Sequence, residues 1–316
     1  MNVIQAPRAS TIIYNLLISQ EQLGTWLLPA NICPIVPITF MKAQVPFEFA
    51  DISAKTLHMD LDQAEAWVRK GGRGGILYAH TYGDESTPDD FFVLAKSLDP
   101  KITVLDDRCL CIPRFDVKSA ADIILFSTGY AKIVELEFGG YAYTREDINV
   151  EPVSLPFDQR CLLQLEEEYK SAVHGKTKYR YRESDWLVTD ADIPVWSEYR
   201  LRVESRLESA LAHKQRLNAV YGARLPRPMQ LSIEYQMWRF NIRVRNKLQI
   251  LKSIFDAGLF ASSHYASMIE VMSDGVAPVA NSLADEVINL FNDHHFDEVR
   301  AEKVCEIILK NQDGTF

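Results

Sequence analysis

The amino-acid sequence predicts an α/β protein: a large domain with a mostly parallel sheet between layers of helices, followed by a smaller C-terminal α+β domain. Strand-like apolar runs alternate with segments of helical periodicity through the first half of the chain, and this alternation is typical of parallel sheets covered on both faces. Residues 102–107 and 123–127 are almost continuously apolar, as strands buried on both faces are. We place the large domain at residues 1–196 and the small one at 197–316.

Local patterns predict each element of the first domain. Apolar residues at helical spacing predict helices at residues 10–23, 34–43, 61–70 and 88–98. Short apolar runs ended by turn residues predict strands at residues 26–29, 45–49, 76–79, 102–107 and 123–127. Residues 71–75 form a glycine-rich turn before a strand, whereas a dinucleotide-binding loop follows a strand and opens a helix. We therefore reject a Rossmann-type site.

The second domain is predicted to begin with a long helix at residues 197–222. Its interspersed Arg and Glu residues indicate a solvated face and not a nucleic-acid surface. Alternating residues at 238–244 predict a strand, and helical patterns follow at 247–257 and 297–310. These elements together predict a small α+β domain.

Composition limits the classes of function. The 316-residue chain has a net charge of −9, with 47% hydrophobic and 24% charged residues, which are ordinary values for a globular protein. We predict no nucleic-acid partner, because phosphate binding needs clustered Lys and Arg. No apolar run reaches membrane-spanning length and the N-terminal residues lack a signal-peptide pattern. We expect no membrane association and a cytoplasmic location.

The cysteines and histidines show no metal-binding or disulfide pattern. The five cysteines are odd in number and lack paired CxxC spacing, and we interpret Cys109 and Cys111 as part of a buried segment. The adjacent His294 and His295 belong to no HExxH motif and to no His/carboxylate triplet with metal spacing. The sequence therefore predicts no metal site.

Asp107 and Lys132 follow the two most apolar runs. If both runs are parallel strands, the two side chains project from neighbouring carboxyl ends, where open α/β sheets bind ligands. Pyridoxal 5'-phosphate (PLP) requires an acid that keeps its pyridine nitrogen protonated and an amine that attaches its aldehyde. The pair meets both needs. Taken alone, the spacing favours the simpler interpretation of a strand-end carboxylate and a solvated lysine.

Several further blocks resemble the DegT/DnrJ/StrS family of PLP-dependent sugar aminotransferases, which have the aspartate aminotransferase fold, type I. The most specific is FSTGYAKIVELEFGG, beside the family pattern F-S-F-H-x-x-K-N-L-x-x-G-E-G-G, with Ser127, Lys132, Gly139 and Gly140 in register. The other blocks, in the family's order, are residues 28–33, 49–60, 79–83, 104–107 and 180–186. The resemblance covers nearly the whole chain and reverses the interpretation of the Asp107–Lys132 pair.

The resemblance implies a role for each residue of this region. Lys132 would attach the cofactor and move a proton between substrate and cofactor. Asp107 would keep the pyridine nitrogen protonated. Ser127 would donate to the cofactor phosphate, with a strand-end cap as the alternative interpretation of this serine. Cys33, at the position of a stacking aromatic in many relatives, would form an apolar wall of the cofactor site.

The phosphate would also meet the start of the first helix. Backbone amides at Ala9 and Ser10 can face an anion there, and Arg8 can add charge, although the family's glycine is absent and the chain begins nearer to this helix than in most relatives. Arg180 replaces a family asparagine that reaches the partner subunit's cofactor phosphate, which implies a homodimer with shared active sites. Surface charge is an equally good interpretation of both arginines.

Substrate contacts are predicted from strand ends and one loop. His80 and Tyr82 end a strand and are interpreted either as pocket-lining or as core residues. His264 precedes a loop that often touches substrate in relatives. The implied reaction transfers an amino group from an amino acid such as glutamate to a keto sugar attached to a nucleotide, for polysaccharide or antibiotic sugars.

Three departures from the family pattern support an alternative. Leu110 replaces a Gln or His near the ring hydroxyl, Gly129 replaces the histidine of the F-S-F-H motif, and Ile133 replaces the asparagine after the lysine. A degenerate relative that acts as an interaction or regulatory protein would explain these losses. PLP-dependent sugar dehydration is disfavoured, because sugar dehydratases of the family replace the lysine that is present here as Lys132.

Overall fold

A computed structural model describes residues 1–19, 24–145, 148 and 150–311 of the chain. Its larger sheet is formed by strands β1 (Asn2–Ala6), β2 (Thr25–Pro29), β3 (Phe47–Ala50), β4 (Arg73–Ala79), β5 (Thr103–Asp107), β6 (Ile123–Ser127) and β7 (Gly140–Thr144). The seven strands lie in the order β1–β7–β6–β5–β4–β2–β3. Strands β2 to β6 pair in parallel, and β7 is antiparallel to its neighbours. The predicted α/β class and mostly parallel sheet are confirmed.

Helices cover both faces of this sheet, as the alternation of side chains along its strands requires. The helices of this region are α1 (Ala9–Ile18), α2 (Ile35–Lys42), α3 (Leu61–Val68), α4 (Asp89–Leu98) and α5 (Gln159–Gly175). Helices α1 and α2 pack in one core with Leu77 and Leu105. Helices α3 and α4 pack in another with Ile76 and Val104, the adjacent strand residues that face the opposite side.

A second sheet has three antiparallel strands in the order β8–β10–β9. Its region consists of α6 (Trp196–Arg224), β8 (Phe240–Arg243), α7 (Lys247–Asp256), β9 (Ala261–Ser262), α8 (Met268–Met272), α9 (Pro278–Glu286), β10 (Val287–Leu290) and α10 (Glu298–Lys310). This mixture agrees with the predicted α+β unit. The domain boundary between residues 196 and 197 stays a prediction. The chain after α7 returns to the larger sheet, because the Met268 amide donates a hydrogen bond to the Ala30 carbonyl at 2.8 Å.

The structure adds elements that local patterns do not reveal. Local patterns do not predict strands β1 and β7 or helix α5, because β1 is mostly exposed or half-buried, β7 is short and begins at a glycine, and α5 exposes most of its surface. The predicted glycine-rich turn at 71–75 is wrong in its second half. Gly74 and Gly75 belong to β4, where a Cβ on Gly75 would lie 2.7 Å from the Thr103 carbonyl oxygen, so the close approach of strand β5 requires glycine.

The carboxyl ends of β2, β4, β5 and β6 lie at one edge of the larger sheet. Strand β3 lies on one side of β2, and β4 lies on the other side. The strand order therefore changes direction between β2 and β4. Open α/β sheets bind ligands at such a topological switch point. Among the described residues, no helix is both long and apolar enough to cross a bilayer.

Candidate functional site at the carboxyl edge of the sheet

Asp107 is the last residue of β5 and lies at the floor of this edge. Its carboxylate Oδ1 accepts a hydrogen bond from the Cys109 amide at 3.0 Å, and its carbonyl accepts one from the His80 amide at 3.1 Å. The residue is only 8% exposed. The strand and these two bonds therefore hold the carboxylate in one orientation, as the sequence predicts.

Lys132 lies above this floor, on residues 128–139, which connect β6 to β7 and are here called the lysine segment. Its side chain is half-buried. Burial raises the pKa of the Cys33 thiol, Lys132 lowers it and Asp107 raises it. Burial and Asp107 likewise raise the pKa of the Cys109 thiol, and Lys132 lowers it. Both charged groups therefore lie within electrostatic range of the same two thiols.

Asp107 and Lys132 do not form an ion pair with each other in the described part of the chain. The two thiols and Tyr265 each keep part of their surface open to solvent although protein atoms surround them densely. Residues with this combination line a concave site. We infer that these five residues border a recess, with Asp107 at the end of β5 and Lys132 on the lysine segment.

Trp238 connects the recess to the second sheet. Its indole Nε1 donates to the Ala131 carbonyl at 2.7 Å, so it holds the lysine segment one residue before Lys132. Its ring lies parallel to that of Tyr82 at 6.1 Å between centroids and nearly parallel to that of Tyr265 at 6.4 Å. Aromatic stacking of this kind stabilises a wall of defined shape.

His264 lies at the open side of this wall. Although the His264 side chain is exposed to solvent, the protein atoms near it, followed by the charges of Arg239 and Lys132, lower the pKa of His264 below its ordinary value. The imidazole is therefore neutral at pH 7, and it lies within electrostatic range of Lys132. Arg239 is nearly fully buried, and its Nε and Nη1 atoms make no hydrogen bond within the described residues, although Nη1 lies 3.2 Å from Asp293 Oδ2.

The other end of the recess is built for an anion. Ser127, the last residue of β6, pairs with Gly140 of β7. A Cβ on Gly140 would lie 2.6 Å from the Ala9 amide nitrogen, so α1 begins directly beside Ser127. The start of α1 has no side-chain cap, and uncapped amides at a helix N-terminus bind anions.

Arg8 adds a positive charge to this end. Its Nη1 donates to the Glu137 carbonyl at 2.8 Å, and its guanidinium lies 5.1 Å from the Tyr130 ring centroid. A Cβ on Gly129 would lie 3.4 Å from Arg8 Nη1 and 3.6 Å from Ser127 Oγ. The guanidinium thus lies next to the position where the resembled family has a histidine.

The structure brings most predicted site residues together. The recess and its anion end contain Lys132, Asp107, Ser127, Cys33, Ala9 and Ser10, with His264 at the opening. Arg180 lies exposed on the surface and has no hydrogen-bond or ion-pair partner within the described chain. Its role toward a partner subunit stays a prediction.

Two predicted substrate residues are placed differently. The His80 side chain is fully buried, with Nε2 2.6 Å from Asp106 Oδ1 and Nδ1 2.6 Å from the Asp84 carbonyl oxygen. Both ring nitrogens are engaged, so His80 supports the floor and does not line the recess. Tyr82 is also buried, and its hydroxyl donates to the His264 carbonyl at 2.7 Å. Tyr82 therefore holds the His264 backbone in position and does not line the recess.

Sequence reasoning missed three residues of the site: Cys109, Trp238 and Arg239. Cys109 follows the strand-end aspartate by two residues, a spacing that could have marked it. Trp238 and Arg239 open the predicted strand at 238–244, where an aromatic and a charged residue at a strand start were a weak signal. Only the packing of the second sheet against the lysine segment brings them to Lys132.

Comparisons with known proteins identify the fold. The sequence matches no protein-family model, and the search of curated proteins finds no match. A DegT DnrJ EryC1 StrS aminotransferase from Brucella abortus superimposes with a TM-score of 0.70 at 15% identity, over 99% of this chain and 87% of that one. The chain has the fold of this aminotransferase.

Two further solved structures agree. DesI, determined in the presence of its TDP-sugar product, matches with a TM-score of 0.73 at 15% identity, over 98% of this chain and 80% of that one. An E coli GDP-4-keto-6-deoxy-D-mannose-3-dehydratase with bound hydrated PLP matches with a TM-score of 0.65 at 13% identity, over 97% and 87%. These identities establish the fold and not the reaction.

Proposed function

We propose that the protein is a PLP-dependent aminotransferase of the DegT/DnrJ/StrS type. It would take an amino group from an amino acid, with glutamate as the first choice, and transfer it to a keto sugar carried on a nucleotide. The observation that carries the proposal is the placement of Asp107, held at the end of β5, and of Lys132 on the lysine segment, within electrostatic range of the same two thiols and not paired with each other. The sugar substrate is inferred from proteins of the same fold, one of which was determined with a TDP-sugar product.

The residues fit the cofactor at its ring. PLP, when bound, withdraws electrons from the substrate carbon that carries the amino group. Asp107 would accept a hydrogen bond from the pyridine nitrogen and so keep the proton on that atom. Lys132 has no ion-pair partner in the described chain, so its amine is available to bond the cofactor aldehyde carbon and then to move a proton at the substrate α-carbon. Cys33 and Tyr265 exclude water from that position.

The residues also fit the cofactor phosphate. Ser127 Oγ accepts from the Gly129 amide at 3.3 Å, and its own hydroxyl proton remains for a phosphate oxygen. The Ala9 amide nitrogen lies against Gly140, the strand partner of Ser127, and Arg8 Nη1 lies near Gly129. The amides of Ala9 and Ser10 and the Arg8 guanidinium would therefore meet the phosphate beside Ser127. A helix start and a guanidinium together make strong charge-assisted contacts with phosphate.

The amino donor would bind on the side of the second sheet. Arg239 lies near His264 and within electrostatic range of it; its Nη1 pairs with Asp293, and its Nε makes no hydrogen bond within the described residues. A guanidinium is the side chain best matched to a carboxylate, and we assign Arg239 to the carboxylate of the donor. The neutral imidazole of His264 would then serve as a hydrogen-bond partner of substrate.

The alternative, a degenerate family relative that acts as an interaction protein, is supported by the loss of family residues at Leu110, Gly129 and Ile133. Arg8 beside Gly129 supplies a positive group next to the lost histidine, which favours an active site. Both replacements at Leu110 and Ile133 are buried, Leu110 within an apolar cluster. They lack the hydrogen-bonding groups of the family residues but still fill space in the core. The presence of Lys132 also disfavours the dehydratase reaction.

Spectral titration of the purified protein with PLP and a panel of amino acids tests the proposal. We expect yellow protein that bleaches with a donor and regains its colour with a keto acid. Lys132→Ala should lose the visible absorbance and the transfer, whereas Lys55→Ala, which changes an exposed lysine, should keep both. A wild type that binds no PLP, or binds it without responding to any amino acid, supports the interaction-protein alternative and overturns the proposal.

A further inference from the structure

Glu135, His294 and His295 come from distant parts of the chain and meet at one point. One potential metal-ligating atom of each lies within 4.8 Å of the others. Glu135 belongs to the lysine segment, three residues after Lys132, and the histidines lie between β10 and α10. The sequence predicts no metal site because its spacing rules consider neighbouring residues. This cluster revises that prediction.

The carboxylate of the cluster is already oriented by the backbone. Glu135 Oε2 accepts a hydrogen bond from the Ala131 amide at 3.0 Å, and Oε1 lies 3.6 Å from His295 Nε2. The two imidazole rings lie together, with centroids 3.8 Å apart, although adjacent side chains commonly point apart. Both histidines are exposed, so solvent and ions reach them.

We propose that Glu135, His294 and His295 bind a divalent transition-metal ion of the Zn²⁺ class. Two imidazole nitrogens and one carboxylate oxygen form a donor set that Zn²⁺ accepts, whereas Mg²⁺ and Ca²⁺ take oxygen ligands. Three protein ligands leave the fourth tetrahedral position for water. An ordinary ion pair between His295 and Glu135 would not need His294, and this difference separates the two interpretations.

Neighbouring arginines set a limit on the affinity. Arg206 Nη1 donates to the Glu135 carbonyl at 3.1 Å, and Arg300 Nη1 donates to the His295 carbonyl at 2.8 Å. Each guanidinium is bound to a main-chain oxygen, so the ligating atoms remain available. Their positive charge opposes a cation nearby, and we therefore expect a site of moderate affinity that exchanges with free metal.

A bound ion would tie the lysine segment to the loop between β10 and α10. The Glu135 carboxylate already holds the Ala131 amide, and the Ala131 carbonyl accepts from Trp238. Metal binding would therefore restrain the backbone on both sides of Lys132. Because the ion binds only the folded arrangement, it should also raise the thermal stability of the protein.

Zn²⁺ binding, measured by competition with a chromophoric chelator, tests the site. We expect one Zn²⁺ per chain in wild type that His294→Ala, His295→Ala and Glu135→Gln each weaken by about tenfold or more, without competition by Mg²⁺. His174→Ala, which changes an exposed histidine on α5, should bind like wild type. Glu135→Gln retains an oxygen for the Ala131 amide, so it serves as the variant least disturbing to the fold.

Thermal melting supplies a readout that does not depend on activity. Zn²⁺ should raise the Tm of wild type and of His174→Ala, and a chelator should reverse the shift. The Tm of His294→Ala should not respond. Zn²⁺ binding that is unchanged in His294→Ala would assign the metal to other groups such as Cys33 or Cys109, and absence of binding to wild type would likewise overturn the site.

Discussion

Gly140 packs on the backbone of Ala9 so closely that a Cβ on the glycine would lie 2.6 Å from the Ala9 amide nitrogen. This contact positions the start of α1 beside Ser127, which pairs with Gly140 in the sheet. The distance is shorter than real Cβ contacts allow, and the neighbouring atom is backbone and cannot rotate away. The anion end of the recess therefore depends on the absence of one side chain.

Gly140→Ala should push α1 away from β7. We expect a loss of about 1–3 kcal/mol in the free energy of unfolding, as for overpacked cores, together with weaker PLP binding. Urea denaturation and a PLP titration measure the two effects. The control is Gly222→Ala in helix α6, where the only atom within reach lies at 4.0 Å and alanine favours the helix by up to about 1 kcal/mol. Equal stability of the two variants would contradict the close contact.

Asp107→Asn should retain the fold and PLP binding and lose most of the turnover. Asparagine keeps an oxygen for the Cys109 amide, but its neutral amide does not hold a proton on the pyridine nitrogen. Asp106→Asn is the matched variant. Asp106 accepts from Arg108 Nε at 2.8 Å and contacts His80, so its loss should cost roughly 3–5 kcal/mol of stability. Steady-state kinetics and thermal melting separate the two outcomes; full turnover in Asp107→Asn would assign the nitrogen to another residue.

Arg180→Ala tests the shared site of the proposed homodimer. If Arg180 of the partner subunit contacts the cofactor phosphate, the contact is worth about 1.5–3 kcal/mol, and PLP affinity should fall by about ten- to a hundred-fold. By linkage, PLP should tighten the wild-type dimer by the same factor. Sedimentation of PLP-free and PLP-loaded protein measures this, with Arg182→Ala, another exposed arginine, as the control. A dimer indifferent to PLP would leave Arg180 as surface charge.

His58 should make the stability of the protein depend on pH. Burial lowers its pKa below the ordinary value, and the nearby charge of His80 acts in the same direction. As the pH falls below about 6.5, His58 binds a proton in the unfolded chain but stays neutral in the folded chain. The free energy of unfolding therefore decreases. Above that pH, His58 is neutral in both states and does not lower the free energy of unfolding. The slope reaches at most about 1.4 kcal/mol per pH unit.

Chemical denaturation at several pH values measures the effect. His58→Gln should flatten the decrease between neutral pH and mildly acidic pH, because glutamine does not titrate. His174→Ala, which removes an exposed histidine, should leave the profile of wild type unchanged. If His58→Gln keeps the full decrease, other buried groups determine the acid sensitivity.

The sequence by itself determined the elements that create the site. Residues 102–105 and 123–126 are mostly apolar because strands β5 and β6 are buried on both faces, and such strands are recognised without knowledge of their neighbours. The pattern predicts Asp107 at the end of a strand, where it lies in β5, and the resemblance in residues 126–140 is the basis of the role predicted for Lys132. Those residues follow from local rules of burial and from a motif without gaps.

Only the tertiary structure decided what each side chain at those ends faces. Asp107 and His80 lie at the ends of neighbouring strands, β5 and β4. The Asp107 side chain borders the recess, whereas the His80 ring points to Asp106 in the interior. Glu135 meets His294 and His295 because the second sheet packs against the lysine segment. These contacts join residues that are far apart in the chain. The energy of each contact depends on the distance between its atoms in space, and the spacing of residues along the sequence does not reveal that distance.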